Sequence, residues 1–259
     1  MRLLTILMLC PFASMHSQSI NGGIISKSIV YANYYHQILY NPSLTSSAKQ
    51  KNISLFNENR YLIKELQSNG LTFLLPLKTN NYWSFGFCQK GNIHFGRYYI
   101  VISLAKKLQE NLSVASSFNY TIQKQGEDYN SINHFDGNIS LSYKVGNLSL
   151  ATSIHNIYSF FQDDLFVYPA IYFATGYKMN NYLKYFVEFD KFGFNGLIIS
   201  GGISVSPNDK ITINLGSSGK NNIISIGVGG NYRSYEFEID CSYHIMLGLT
   251  PSLCFAKNF

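Results

Sequence analysis

Charged residues are scarce in this chain of 259 residues: Asp, Glu, Lys and Arg make up 13% of it, against roughly 25% in soluble globular proteins. Long apolar runs are lacking too, because no stretch after the N-terminus approaches the roughly 18 apolar residues of a transmembrane helix. Disorder is excluded, since 20 tyrosines and 19 phenylalanines carry too much apolar surface to stay solvated. The hydrophobic residues, 46% of the chain, must therefore be distributed along it.

Cysteine is also rare, and the residues Cys88, Cys241 and Cys254 are widely spaced. They form no CxxC motif and no cluster with histidine, so we predict neither a disulfide framework nor a metal site. One bridge would be possible in an exported protein, but small apolar residues within strands are the stronger interpretation. The formal net charge of +6 comes from scattered Lys and Arg, which gives no reason to expect nucleic acid as a partner.

The first 18 residues have the features of a secretory signal peptide. Arg2 precedes an apolar stretch at residues 3–9, and small and polar residues follow at 13–18. We expect cleavage near Ser17 or Gln18. A lipoprotein site at Cys10 is the alternative, but the apolar stretch before it is short and Pro11 follows.

Alternation with a period of two organises the rest of the chain. In the segment 183–190, Leu183, Tyr185 and Val187 alternate with Lys184 and Glu188. The segment 234–243 alternates in the same way, and its polar face carries Glu236, Glu238 and Asp240. Helical spacing of apolar residues is absent from these windows and between them, so the pattern predicts an antiparallel meander of strands.

About fourteen such segments occur, and an even number is what a closed outer-membrane barrel requires. Their predicted starts are Ile53, Leu71, Tyr82, Phe95, Leu112, Asp136, Leu148, Ala170, Tyr182, Gly196, Lys210, Ile223, Ser234 and Leu249. Short turns are predicted at one end, at 78–81, 144–147, 178–181, 206–209 and 231–233, and the longest loops, 124–133 and 156–168, at the other. We therefore predict an all-β transmembrane antiparallel barrel over residues 51–259, in contact with the lipid of a bacterial outer membrane.

A β-sandwich is the alternative fold, but its polar face would meet water and be rich in Lys, Glu and Asp. Here that face is mostly Ser, Gly, Ala, Asn and Thr, which suits a crowded lumen. The charged exceptions, Lys184, Glu188, Glu236, Glu238 and Asp240, are predicted to line a wet sector of the lumen.

Catalysis has little support, because the six histidines are dispersed and no HExxH or nucleophile elbow is present. Ser153 and His155 beside Asn156 are residue types that an outer-membrane phospholipase uses, but they precede a predicted outer loop where polar residues are common. We predict a protein that is not an enzyme and needs no cofactor.

Residues 19–50 do not alternate and are predicted to form a plug-like segment with a short helix and a turn at Asn41-Pro42. The tyrosines of this segment, Tyr31, Tyr34, Tyr35 and Tyr40, precede Asn41-Pro42-Ser43-Leu44. This element resembles the Asn-Pro-Ala-Leu element of FadL-like outer-membrane barrels of Bacteroidetes, a group that includes the PorV and PorQ proteins of type IX secretion. The resemblance implies that the segment folds into the lumen or caps its inner mouth.

Two functions follow from that resemblance. The first is a channel or transporter for small hydrophobic molecules, in which the tyrosines with Asn41 and Pro42 line or gate the route. The second is a non-catalytic accessory subunit of a secretion or assembly complex. Its partner would bind an apolar outer loop containing Phe160, Phe161, Leu165 and Phe166.

Overall fold

A computed structural model gives the structure of the chain and describes residues 28–31, 33–77, 80–92, 94–126, 130–157, 168–193, 196–219 and 223–259. The predicted signal peptide lies outside these residues. Within them the structure contains one short α-helix, α1 (Tyr34–Tyr40), three 3-10 helices (Pro42–Ser47, Arg60–Leu62 and Lys64–Leu66) and fourteen strands. The strands are β1 (Asn52–Asn59), β2 (Gln67–Pro76), β3 (Asn81–Gly91), β4 (Phe95–Lys107), β5 (Leu112–Gln125), β6 (Ile132–Val145), β7 (Leu148–His155), β8 (Ala170–Lys178), β9 (Leu183–Phe192), β10 (Leu197–Asn208), β11 (Ile211–Ser218), β12 (Ile223–Tyr232), β13 (Tyr235–His244) and β14 (Gly248–Asn258).

The strands form one closed antiparallel barrel. Each strand pairs with its neighbours in sequence, and β1 also pairs with β14, so the sheet has no free edge. Asn52 pairs with Asn258, which brings the first and last strands together at the same end of the barrel. The predicted fold class and the strand number are confirmed.

The two ends of the barrel differ in the length of their connections. The end that holds Asn52 and Asn258 has the connections 77–80, 108–111, 146–147, 179–182, 209–210 and 233–234. The opposite end has the three longest connections, 60–66, 126–131 and 156–169, together with four of three or four residues. Because short turns face the periplasm in outer-membrane barrels, the end that holds Asn52 and Asn258 is the inner one. Gly146 has a φ of 54° in the two-residue turn 146–147, a conformation that glycine adopts without strain.

Predicted strand starts differ from the structure by no more than four residues. β2 and β6 show the largest differences, since they begin at Gln67 and Ile132, four residues before the predicted starts. Both of these ends belong to the outer rim, and polar residues there occupy both faces of the strand. The alternation is lost at that height, so the sequence pattern does not locate the strand end.

The two faces of the barrel wall differ sharply in chemistry. Val187 is 40% exposed and its neighbour Glu188 is 7% exposed, as expected for residues on opposite faces of a strand. Outward residues are large and apolar, and Ile224, Ile226 and Val228 on β12 are typical. Strands of 8 to 14 residues with an apolar outer face are long enough to cross a bilayer. The barrel is therefore a membrane-spanning one, located in the bacterial outer membrane.

No helix in the described part of the chain is long and apolar enough to cross a membrane.

Candidate functional site in the barrel lumen

Residues 28–48, here called the N-terminal segment, contain α1 and a 3-10 helix, Pro42–Ser47. Asn33 caps α1, because its side-chain oxygen accepts a hydrogen bond from the backbone N–H of His36 at 3.1 Å. Asn41 ends α1 and starts the 3-10 helix: its side-chain oxygen accepts from the backbone N–H of Ser43 at 3.2 Å. Pro42 then occupies the first position of the 3-10 helix, where its missing N–H has no cost. The Asn-Pro element predicted as a turn is thus the junction between two helices.

The N-terminal segment lies inside the ring of strands. Its contacts reach strands on all sides of the barrel, which a segment of this length can do only from the lumen. Ser43 and Ser46 bond to β6 and β5, Tyr40 bonds to β7, Ser28 bonds to β9, and Asn33 bonds to β13.

Two carboxylates anchor the start of the segment. Oε2 of Glu188 on β9 accepts hydrogen bonds from the Ser28 hydroxyl and from the Ile29 N–H, each at 2.9 Å. Glu238 on β13 accepts from the Asn33 side-chain amide at 2.6 Å and, with its other oxygen, from Asn214 at 2.9 Å. Both carboxylates face inward, so they hold the segment by side-chain bonds and leave the strand pairing intact.

A third anchor holds the C-terminal end of α1. The Tyr40 carbonyl oxygen accepts a hydrogen bond from Ser153 Oγ at 3.0 Å and lies 2.8 Å from His155 Nε2. Because a carbonyl only accepts, the His155 nitrogen that faces it carries the hydrogen. Ser153 and His155 also lie 2.8 Å apart, but Ser153 is 1% exposed and its hydroxyl hydrogen is directed to Tyr40. This pair therefore positions the segment.

A continuous row of aromatic rings crosses the lumen. We call it the aromatic row, and it runs through Phe56, Tyr35, His36, Tyr40, His155, Tyr172 and Phe192. The ring centroids of Tyr35 and Phe56 are 4.6 Å apart in a stacked pair, and those of Tyr172 and Phe192 are 5.5 Å apart in an edge-to-face pair. These separations are in the range where aromatic pairs attract each other. The lumen is thus crossed by a band of packed rings in addition to its polar wall.

The wall itself makes room for the segment at glycines. A Cβ atom at Gly70 would lie 2.0 Å from the Tyr35 hydroxyl oxygen, and one at Gly176 would lie 2.6 Å from the Tyr31 ring. Only the bare backbone lets these rings approach so closely. Tyr35 is fully buried, and this burial raises the pKa of its phenol well above the usual value.

The remaining predicted lumen residues are found at the following places. Lys184 is inward on β9, with its ammonium 5.8 Å from the Tyr31 ring centroid. Glu236 accepts a hydrogen bond from Asn258 at 2.8 Å, and Asp240 is buried against Gly227. Tyr34 is the first residue of α1, and its side chain lies outside the described part of the structure.

Several residues of the site were not predicted from the sequence. Ser28 and Asn33 have short polar side chains in a segment without alternation, so no sequence pattern distinguishes them as residues of the site. A signal does exist for Phe56, Tyr172, Phe186 and Phe192, because each is a large apolar residue at a polar-face position of its strand. That exception to the alternation identifies the part of the wall where the lumen is apolar.

The predicted outer-loop residues, Phe160, Phe161, Leu165 and Phe166, lie outside the described residues. All three cysteines of the described part of the chain are free, so the single possible disulfide is not formed. No group of three or more His, Cys, Asp or Glu side chains within the described ranges is arranged to hold a metal ion.

Comparison with known proteins finds likeness in fold alone. No family model matches the chain, and no curated protein matches its sequence. Among solved structures, the Pseudomonas putida toluene transporter TodX has a TM-score of 0.67 at 9% identity, covering 93% of this chain and 99% of TodX. The Ralstonia pickettii toluene transporter TbuX has a TM-score of 0.65 at 9% identity, covering 92% and 98% of the two chains. A Pseudomonas aeruginosa FadL homologue has a TM-score of 0.61 at 8% identity, covering 93% and 99%.

Proposed function

We propose that this protein is an outer-membrane channel for small hydrophobic molecules, gated by the N-terminal segment. The observation that carries the proposal is the aromatic row, which continues from the segment into the inward faces of β1, β7, β8 and β9. A monoaromatic molecule would make the same ring contacts as the members of the row. The likeness in fold to toluene transporters agrees with this class of cargo.

The same row also closes the lumen while the segment is docked. Tyr35, His36 and Tyr40 are contributed by the segment, and all three are buried. A solute can therefore follow the row only where the segment moves away from the wall. In this proposal the hydrogen bonds to Glu188, Glu238 and Ser153 set how often that movement occurs.

Uptake of radiolabelled toluene by bacterial cells that lack their own hydrocarbon channel tests the proposal. The outer lipopolysaccharide layer of such cells slows hydrophobic solutes, so expression of the channel should raise uptake. Tyr172→Ala, which interrupts the row, should lower uptake several-fold. Phe173→Ala is the matched control, because Phe173 is the next residue on β8 and is 46% exposed on the outer wall.

Deletion of residues 29–44 tests the proposed gate independently of the barrel. The strands alone provide the lipid-facing surface, so the deleted protein should stay a heat-modifiable barrel and become permeable to small polar solutes in liposomes. Wild-type expression without any gain in toluene uptake would contradict the proposed cargo. An unchanged permeability after deletion would contradict the proposed gate.

The accessory-subunit hypothesis makes the opposite prediction for both assays. It places binding on the outer loop with Phe160, Phe161, Leu165 and Phe166 and expects no solute flux. Loss of a copurifying partner on Phe160→Asp, with no uptake by wild type or deletion variant, would favour it over the channel.

A further inference from the structure

A groove of about 450 Å³ lies on the outer wall of the barrel and extends across the four adjacent strands β14, β1, β2 and β3. Five outward side chains from the four strands form its apolar surface: Leu55, Leu71, Phe87, Leu253 and Phe255. Four of them are neighbours in register, since Leu55 pairs with Phe255 on one side and with Leu71 on the other, and Leu71 pairs with Phe87. The groove is thus a feature of the wall itself and belongs to the face that meets the membrane.

The groove is closed toward the lumen. Phe56 and Gly70, which pair with each other, lie at its floor. Gly70 contributes only backbone, and the Tyr35 ring packs directly behind it on the lumen side. The paired backbones of β1 and β2 form the floor of the groove at this point, and Tyr35 of the N-terminal segment lies behind it on the lumen side.

The upper rim of the groove is polar. The Asn57 side-chain NH2 donates a hydrogen bond to the side-chain oxygen Oδ1 of Asn69 at 2.7 Å. Both residues lie two positions from the ends of their strands, next to the connection 60–66. Each side-chain amide has two donors and an acceptor, so the pair retains capacity for another polar group. An apolar groove with a polar rim toward the membrane surface matches the chemistry of a lipid. The acyl chain would lie in the apolar groove, and the ester would lie beside the polar rim.

We infer that the groove is a binding site for one acyl chain of a membrane lipid. The groove is continuous with the lipid-facing surface, so hydrocarbon chains are what surrounds it. An apolar cavity open to hydrocarbon gains dispersion contacts when it is filled, and an empty one forfeits them. A chain seated in the groove would contact side chains of all four strands.

Fluorescence quenching by lipids with brominated acyl chains tests this site. The single tryptophan, Trp83, is replaced by Phe, and a reporter is introduced as Phe87→Trp at the groove. The control reporter is Ile226→Trp on β12, where the wild-type side chain is 53% exposed. Brominated phosphatidylethanolamine is titrated into detergent-solubilised protein. Quenching of the groove reporter should saturate at a single lipid per barrel, whereas quenching of the control should rise only in proportion to the lipid fraction of the micelle.

A larger side chain that fills the groove should weaken the saturable quenching of the groove reporter. Leu55→Phe adds a ring to the groove and should raise the half-saturating lipid concentration of the groove reporter by about tenfold. Ile224→Phe, on β12 and outside the groove, should leave it unchanged. Identical quenching curves for the two reporters would overturn the inference, as would a Leu55→Phe variant, verified as a folded heat-modifiable barrel, with an unchanged curve. Displacement of the quencher by toluene at concentrations that leave the micelle intact would assign the groove to cargo, which also overturns it.

Discussion

The Glu188 carboxylate is the anchor whose removal should have the largest effect on the N-terminal segment. It accepts two hydrogen bonds, from the Ser28 hydroxyl and the Ile29 N–H, and both donors are almost fully buried. Glu188→Ala leaves these two donors without their partner. An unsatisfied buried donor costs about 1–3 kcal/mol, so we expect docking of the segment to weaken by at least about 2 kcal/mol.

This loss of docking free energy should raise the undocked fraction of the segment by a measurable amount. At 1.4 kcal/mol for each factor of ten, about 2 kcal/mol raises the undocked fraction of the segment roughly thirtyfold. Amide hydrogen exchange of peptides covering residues 28–44 should accelerate by a similar factor, while peptides from β9 keep their protection because the strand pairing does not involve the side chain. Toluene uptake should rise in the same variant.

Glu236→Ala is the matched control for this prediction. Glu236 is also an inward carboxylate, but its hydrogen bond comes from Asn258 on β14 and not from the segment. Exchange over residues 28–44 should then be unchanged. If Glu188→Ala leaves both the exchange rate and the uptake at the wild-type level, or if Glu236→Ala changes them equally, the assignment of Glu188 as an anchor is wrong.

Two further substitutions test the packing of the segment and the orientation of the wall. Gly70→Ala places a methyl group against the fully buried Tyr35 ring and should destabilise docking by about 1–3 kcal/mol. Gly86→Ala, whose Cβ would be 3.4 Å from Ile38 and Leu39, should be tolerated, and equal exchange rates over 28–44 in the two variants would contradict the packing. Val187→Arg should destabilise the barrel by about 2–4 kcal/mol in reversible unfolding from lipid vesicles, because it puts a charge into hydrocarbon. Val187→Leu should have little effect, and a similar cost for both would show that Val187 does not face lipid.

The barrel could be predicted from the sequence because its two environments differ so strongly. Residues that face hydrocarbon must be apolar, whereas residues that face the crowded lumen are small or polar. Successive residues of a strand therefore differ, as Val187 and Glu188 do. Turn residues such as Gly146 then mark where the chain reverses. The pattern fails at the outer rim, where β2 begins at Gln67 and β6 at Ile132 and polar residues such as Asn133 also lie on the outward face.

The site was only partly predictable, because it depends on contacts between distant parts of the chain. The tyrosines and the Asn41-Pro42 element could be recognised as a separate segment, but their partners could not. Ser28 and Glu188 are 160 positions apart, and no local pattern relates them. The acidic residues were predicted as a wet charged sector, whereas Glu188 and Glu238 are engaged with the segment. Their role follows from the way the barrel brings β9 and β13 around the N-terminal segment.

The two parts of the molecule also differ in what holds them together. Every strand is hydrogen-bonded on both sides, and opening the wall would leave backbone groups unsatisfied in hydrocarbon at several kcal/mol each. The segment satisfies part of its backbone within α1 and the 3-10 helix and is held to the wall by side-chain bonds worth about 0.5–1.5 kcal/mol each. Thermal opening should therefore begin with the segment while the barrel stays closed. The proposed gate needs this order of stabilities, because the segment would have to undock and dock many times while the sheet stays closed.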